Sequence, residues 1–222
     1  MPGRALRAET GLAPSAGATR PIVVKLGGSV VRSAELPAWL DVIAQSPRGV
    51  VVVPGGGALA DEVRAYQSQL GFGDRSAHRM ALLAMDQLAW AIAGMRQGFI
   101  VGATEPDLRA ALDHGSAAVW APYALVAERS DLEESWRLTS DSLALWLAGR
   151  IGAERCYLIK SIARDRSTAS PAQLARDGIV DDAFPAMLKE TGVTAVLLGR
   201  DDQQAFAAAL AGDADPCGAK ID

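Results

Sequence analysis

The stretch Ile22-Val23-Val24-Lys25-Leu26-Gly27-Gly28-Ser29 decides how the rest of the chain is read. Five residues, apolar except for one lysine, run straight into two glycines and a serine. A run of this length without polar alternation reads as a strand buried on both faces, the type found in parallel sheets. The segment Gly49-Val50-Val51-Val52-Val53-Pro54 repeats the pattern and opens into Gly55-Gly56-Gly57. Further strand-like runs occupy 99–101, 117–120, 155–160 and 194–198, and an edge strand fits 218–222. Helical periodicity fills the intervals: 35–45 with Pro37 in its first turn, 59–70, 76–95 with Asp74 as N-cap, and 104–113 capped by Thr104 with Asp107 three residues on. It resumes at 139–150, at 171–189 with a break near Gly178, and at 201–211, while 123–137 has no period and 161–170 reads as a polar loop. Strands alternating with helices predict an α/β chain, a three-layer αβα sandwich around a largely parallel sheet. In such sheets ligands bind beyond the carboxyl ends of the strands, so the strand-end residues are the candidates for chemistry.

Composition removes several alternatives. The chain has 222 residues, half of them hydrophobic and 22% charged, which fits one domain and excludes a disordered polymer. The formal net charge is −4, unlike a protein that neutralises nucleic-acid phosphates, so no nucleic-acid partner is expected. Two cysteines, Cys156 and Cys217, lack Cys-x-x-Cys spacing, and with two histidines they argue against a disulfide scaffold or a zinc site; no metal ligand set is expected. Residues 1–20 lack the apolar core of a secretory signal and read as a disordered leader, a transit peptide being the alternative. The apolar stretch 77–95 is interrupted by His78, Arg79, Asp86 and Gln87, so it reads as a buried helix and not a membrane span. A cytoplasmic protein is expected. Lys and Arg together number 22, of which eighteen are Arg and only Lys25, Lys160, Lys189 and Lys220 are Lys.

Two of those four lysines close strands, in Val-Val-Lys25 and Leu-Ile-Lys160. A lysine in an apolar strand is costly unless it pairs or enters a polar cleft, although a snorkelling terminus would also place one there. The glycine clusters at successive strand ends let backbone N–H groups approach an anion, or simply make tight turns. Neither cluster is a Walker A loop. Gly55-Gly56-Gly57-Ala58-Leu59-Ala60 satisfies Gly-x-Gly-x-x-Ala, but a dinucleotide site needs an acidic residue at a strand end about 20 residues on, and here that distance falls inside the helix containing Asp74 and Arg75. Thr139-Ser140-Asp141-Ser142 opens a helix with more capping residues than one cap requires, and Asp141 is read as also holding a lysine or a metal in the cleft. Arg75, Arg79 and Asp86 form one polar stripe on the long helix, either solvated or lining an acceptor pocket. His78 and His114 read as surface or structural, and Cys156 as core. The excess of apolar surface on 76–95 predicts a homo-oligomer.

The segments Lys25-Leu-Gly-Gly-Ser29, Pro54-Gly-Gly-Gly57, Thr139-Ser-Asp-Ser-Leu-Ala144 and Leu158-Ile-Lys160 resemble, in that order, the amino-acid kinase superfamily. Gly55–Arg64, Ala77–Met80, Ala84–Gln87 and Ser135–Asp141 look like its small (aminomethyl)furanmethyl phosphate kinase branch, tied to methanofuran and tetrahydromethanopterin one-carbon metabolism. The chain departs from the superfamily pattern at Ser161–Arg166, where Asp-Gly is common, and at Gly218-Ala219, where Gly-Thr is common. The resemblance implies ATP- and Mg2+-dependent phosphoryl transfer to a small anionic acceptor, a phosphate or a carboxylate. It implies one domain over 21–222, with an acceptor lobe at about 21–135 and a nucleotide lobe at about 136–222. Lys25, Lys160 and Asp141 would be catalytic, with Gly27, Gly28, Ser29, Thr139 and Ser140 on the nucleotide phosphates. Gly55, Gly56 and Gly57 would take the anionic end of the acceptor; Arg64, Arg75 and Arg79 would bind its phosphate, and Asp61 or Asp86 an acceptor ammonium. A catalytically silent oligomeric oxyanion-binding protein on this fold, or a nicotinamide-dependent oxidoreductase, remains the alternative.

Overall fold

A computed structural model describes residues 20–163, 170–212 and 218–222. The leader expected at 1–20 therefore falls outside the described residues except for Arg20, as do Cys217 and most of the loop expected at 161–170. The strands are β1 (Ile22–Leu26), β2 (Val50–Pro54), β3 (Phe99–Gly102), β4 (Ala117–Trp120), β5 (Arg155–Ile159), β6 (Thr194–Leu198) and β7 (Ala219–Ile221). The helices are α1 (Gly28–Val31), α2 (Leu36–Ala44), α3 (Gly57–Leu70), α4 (Asp74–Met95), α5 (Glu105–Asp113), α6 (Tyr123–Val126), α7 (Ser140–Arg150), α8 (Pro171–Arg176), α9 (Phe184–Thr191) and α10 (Gln203–Ala211).

The strands form one sheet in the order β3-β4-β2-β1-β5-β6-β7, parallel except for β7, which runs antiparallel to β6. β1 lies at the centre, with Lys25 opposite Val53 on one side and Leu158 on the other. Because side chains alternate along a strand, the sheet divides its residues between two cores. Val23, Val51, Val53, Cys156 and Leu158 belong to the core that also contains the buried residues of α5, α7 and α9. Ile22, Val24, Leu26, Val52 and Ile159 belong to the one with α2, α10 and the C-terminal half of α4. The result is the three-layer αβα sandwich. The same alternation puts Lys25 on the face of Val23, and Lys160 on the face of Leu158. Both lysines are thereby committed to the α7 side.

Helix α7 is buried on every side from Ser140 to Ala148, so it presents no solvated stripe. It packs against β1, β2 and β5 and points its N-terminus at their carboxyl ends. Some local expectations need correction. A single turn, α1, follows β1 at once, and α6 interrupts the stretch 123–137 expected to be irregular. Asp74 is in the first turn of α4 and Gly73 is the N-cap. Thr104 and Asp107 form the complete capping box of α5.

Candidate active site

Asp141 lies between the two strand-end lysines. Its Oδ1 is 2.7 Å from Lys25 Nζ, and its Oδ2 accepts a hydrogen bond from Lys160 Nζ at 2.8 Å. Lys25 is 3% exposed and Asp141 5%. Burial pulls the Asp141 carboxyl upward, but the two ammonium groups outweigh it and hold it below the ordinary aspartate range. Lys160 is pushed down to about 8, first by burial and then by the neighbouring charge of Lys25. Two cations share one anion in a place that water scarcely reaches. The three side chains together carry one net positive charge.

The N-terminus of α7, which presents Asp141, is held by a residue far away in the chain. Asp181 Oδ2 accepts from Thr139 N at 3.0 Å, Thr139 Oγ1 at 2.9 Å and Ser142 N at 3.0 Å, and Asp181 Oδ1 accepts from Ser142 Oγ. The cap of α7 is therefore Asp181, although Thr139 occupies the N-cap position and makes no side-chain cap bond itself. This corrects the phosphate-binding role expected of Thr139, since its N–H and O–H are both already donated. Ser140 remains at the first turn, buried beside the bridge.

The two glycine turns interlock. A Cβ on Gly55 would lie 2.8 Å from Gly28 N, and one on Gly28 would lie 3.1 Å from Gly57 Cα. Backbone approach this close excludes any side chain, and Gly57 also has φ +51. The contact shows which N–H groups are committed. Gly27 N–H donates to the Ile159 carbonyl at 3.0 Å and Gly55 N–H to the Leu26 carbonyl at 2.8 Å. Neither is available to a phosphate, which corrects the binding roles expected of both; they join β1 to β5 and to the second turn. The N–H groups of Gly28 and Ser29 open α1, and those of Gly56 and Gly57 stand at the start of α3. First-turn N–H groups have no acceptor inside their own helix.

Beside these turns lies a cavity of about 400 Å³. Gly28, Ser29, Arg32, Asp61 and Arg64 form its polar side. Leu82, Met85, Leu138 and Leu143 form its apolar side, and Thr139 and Ser140 join it to the lysine bridge. Arg64 is stacked 3.7 Å over the ring of Trp136, whose Nε1 donates to Gln67 Oε1 at 2.6 Å. Stacking fixes the guanidinium plane while leaving its N–H edge free for an anion.

The cavity does not receive the rest of the polar stripe. Arg75 pairs with Glu134 at 2.9 Å; Arg79 pairs with Glu134 and Glu128, each at 3.2 Å, and donates to the Ala127 carbonyl. Asp86 accepts from Tyr123 N at 3.1 Å and so caps α6. The helix face was read correctly, but it is turned toward the acidic loop after α6. Arg75, Arg79 and Asp86, expected to bind the acceptor, are not among the residues that line this cavity. Residues absent from the sequence reading of the site are Asp181, Trp136, Arg32 and His78. Among the described residues no group of three or more His, Cys, Asp or Glu could hold a metal ion.

A buried Lys–Asp–Lys bridge thus sits below interlocked glycine turns at the carboxyl ends of the central parallel strands, the place where open α/β sheets bind their ligands. Residues 20–164 match the model of the Amino acid kinase family, and the chain belongs to that family. It is similar to the (5-(aminomethyl)furan-3-yl)methyl phosphate kinase of Methanocaldococcus jannaschii, with 27% identity over 195 residues, covering 82% of this chain and 89% of that protein. Two solved structures share the fold. Uridylate kinase from Archaeoglobus fulgidus matches with a TM-score of 0.66 at 18% identity, over 92% of this chain and 100% of that one. UMP kinase from Bacillus anthracis matches with a TM-score of 0.65 at 14% identity, over 92% and 96%.

Proposed function

We propose that this chain is a small-molecule kinase that transfers the γ-phosphoryl group of ATP to an anionic acceptor held in the cavity. The observation that carries the proposal is the Lys25–Asp141–Lys160 bridge, one negative charge short and adjoining a cavity with its own fixed arginine. Phosphoryl transfer asks a protein mainly for positioning and for neutralisation of charge on the moving group. Lys25 and Lys160 bracket that group, and Asp141 keeps the two ammonium ions at a fixed separation. N–H groups of Gly28, Ser29 and Ser140 hold the nucleotide phosphates. The acceptor's anionic end lies against Gly56, Gly57 and Arg64, with Arg32 at the rim.

The acceptor oxygen attacks the γ-phosphorus as the bond to the β,γ-bridging oxygen breaks, and that oxygen leaves with ADP. A phosphate or carboxylate nucleophile has no proton to lose, so no general base is assigned. Mg2+ would supply further neutralisation of the nucleotide's negative charge when bound. In this reading residues 21–135 form the acceptor lobe and 136–222 the nucleotide lobe. The relative from Methanocaldococcus jannaschii supports an aminated furanmethyl phosphate as the acceptor, and a place in one-carbon coenzyme synthesis. A cytoplasmic homo-oligomer fits two observations. No helix among the described residues is long and apolar enough to cross a membrane. Trp90, Leu83 and Met80 on α4 are left exposed, as is Tyr66 on α3. Sedimentation should give more than one chain per particle.

The test is ADP release from Mg-ATP over a panel of phosphomonoester, amino-acid and carbamate acceptors. Release with a phosphomonoester, lost about a hundredfold or more in Lys25→Ala, is the expected result. Binding of ATP without release on any acceptor would favour a silent oxyanion-binding protein instead.

A further inference from the structure

Arg64 is an exposed side chain on α3 with no carboxylate partner among the described residues. It is held all the same, because its guanidinium lies 3.7 Å over the ring of Trp136, and both residues line the cavity. The ring is itself tied down. Trp136 Nε1 donates to Gln67 Oε1 at 2.6 Å, and Gln67 Nε2 donates to Asp74 Oδ1 at 2.7 Å. An indole N–H can only donate and a carboxylate can only accept, so a side-chain amide between them fits in one orientation alone. Gln67 is one turn beyond Arg64 on α3, Asp74 opens α4, and Trp136 comes from the loop before α7. Side chains from two helices and a loop are thus joined behind one arginine. Gln67, which links them, is not among the residues that line the cavity.

Arg75 and Arg79 show the other way to hold a guanidinium. Glu134 pairs with both, which offsets their charge and occupies their N–H groups. A ring holds the guanidinium by its face and leaves charge and N–H groups to a ligand. A long side chain that is already immobilised also loses less rotamer freedom when an anion binds. We propose that Trp136 is a positioning residue: held by the Asp74–Gln67 relay, it fixes the Arg64 guanidinium for the anionic end of the acceptor and thereby sets acceptor affinity. It acts through Arg64 and has no part in binding the nucleotide. This rests on the kinase reading above and names what tunes its acceptor site.

The experiment is a double-mutant cycle read in acceptor KM, with (5-(aminomethyl)furan-3-yl)methyl phosphate as the probe. Trp136→Leu should raise that KM about threefold or more while the KM for ATP stays put. Trp136→Phe keeps a ring beneath the guanidinium and should recover part of the loss. Gln67→Met cuts the tether from outside the cavity and should match Trp136→Phe. In an Arg64→Ala background none of these changes should raise the acceptor KM further. An undiminished effect in that background, or a KM for ATP that rises in step, would overturn the proposal. Binding is read separately by 1H–15N NMR of the indole groups, with inorganic phosphate as the probe. The Trp136 Nε1–H resonance, identified by its loss in Trp136→Phe, should shift with phosphate in wild type and stay still in Arg64→Ala. No shift in wild type, or the same shift in both proteins, would also overturn it. If the ester is not phosphorylated, the kinase reading fails for that acceptor, and the phosphate titration still decides the role of Trp136.

Discussion

Replacing Asp141 with Asn removes the only negative charge between two buried ammonium groups while preserving side-chain shape. At an effective dielectric near 20, unit charges separated by the Lys160–Asp141 distance of 2.8 Å attract by about 6 kcal/mol. The Lys25 contact at 2.7 Å adds a comparable attraction. Much of this is spent against the dehydration of three charges, and losing one member of a buried pair costs about 3–5 kcal/mol net. We expect Asp141→Asn to lower stability by that amount at pH 6, measured by urea unfolding. The loss should shrink on the alkaline side. In the folded wild type Lys160 releases its proton near 8, and without the carboxylate it releases it at lower pH. Between those two values the folded variant binds fewer protons than the folded wild type, while the unfolded chains titrate alike. The variant therefore gains stability relative to wild type as pH rises toward 8. A deficit below about 1 kcal/mol at pH 6, or one that grows toward alkaline pH, would refute the shared-charge account.

Other substitutions separate positioning from binding. Asp181→Ala removes the four hydrogen bonds that Asp181 accepts at the start of α7 and should cost about 2–4 kcal/mol, with turnover falling because Asp141 is less firmly held. Asp181→Asn can turn its carbonyl oxygen to the three donors now on Oδ2 and should be the milder change in both readouts. Arg64→Ala should raise the acceptor KM about tenfold or more, whereas Arg75→Ala should leave it near wild type because Arg75 is tied to Glu134 outside the cavity. Lys160→Arg should lose activity despite its unchanged charge, since a planar guanidinium cannot occupy the compact site of an ammonium beside Asp141.

How much was legible in the sequence follows from the range over which each signal acts. The strand period of two, counted from Val23 to Lys25 and from Leu158 to Lys160, is local. It suffices to send both lysines to one face. The interlocked turns were legible as glycine clusters, but not as a contact, because the approach of Gly28 to Gly55 and Gly57 is tertiary. That contact commits the Gly27 and Gly55 N–H groups, which no local reading reveals. Asp181 was invisible for a related reason. Thr139, Ser140 and Asp141 look like a sufficient cap, and nothing nearby announces that a carboxylate from 42 residues downstream takes that place. The polar stripe on α4 was legible from helix geometry, but what it faces was not. Glu128 and Glu134, from a loop without periodicity, claim Arg75 and Arg79. His78 was read as surface or structural because an isolated histidine has no spacing signal, and only the fold places it, buried, in the wall of the cavity.

The central claim is that a phosphoryl group crosses the Lys25–Asp141–Lys160 bridge to an acceptor in the adjoining cavity. It is tested most directly by 31P NMR of a mixture of the protein, Mg-ATP and (5-(aminomethyl)furan-3-yl)methyl phosphate. The account predicts that ADP and a new diphosphate ester accumulate in equal amounts, and that Lys25→Ala, still folding cooperatively, forms neither at a comparable rate. A diphosphate formed as fast by Lys25→Ala as by wild type would contradict it.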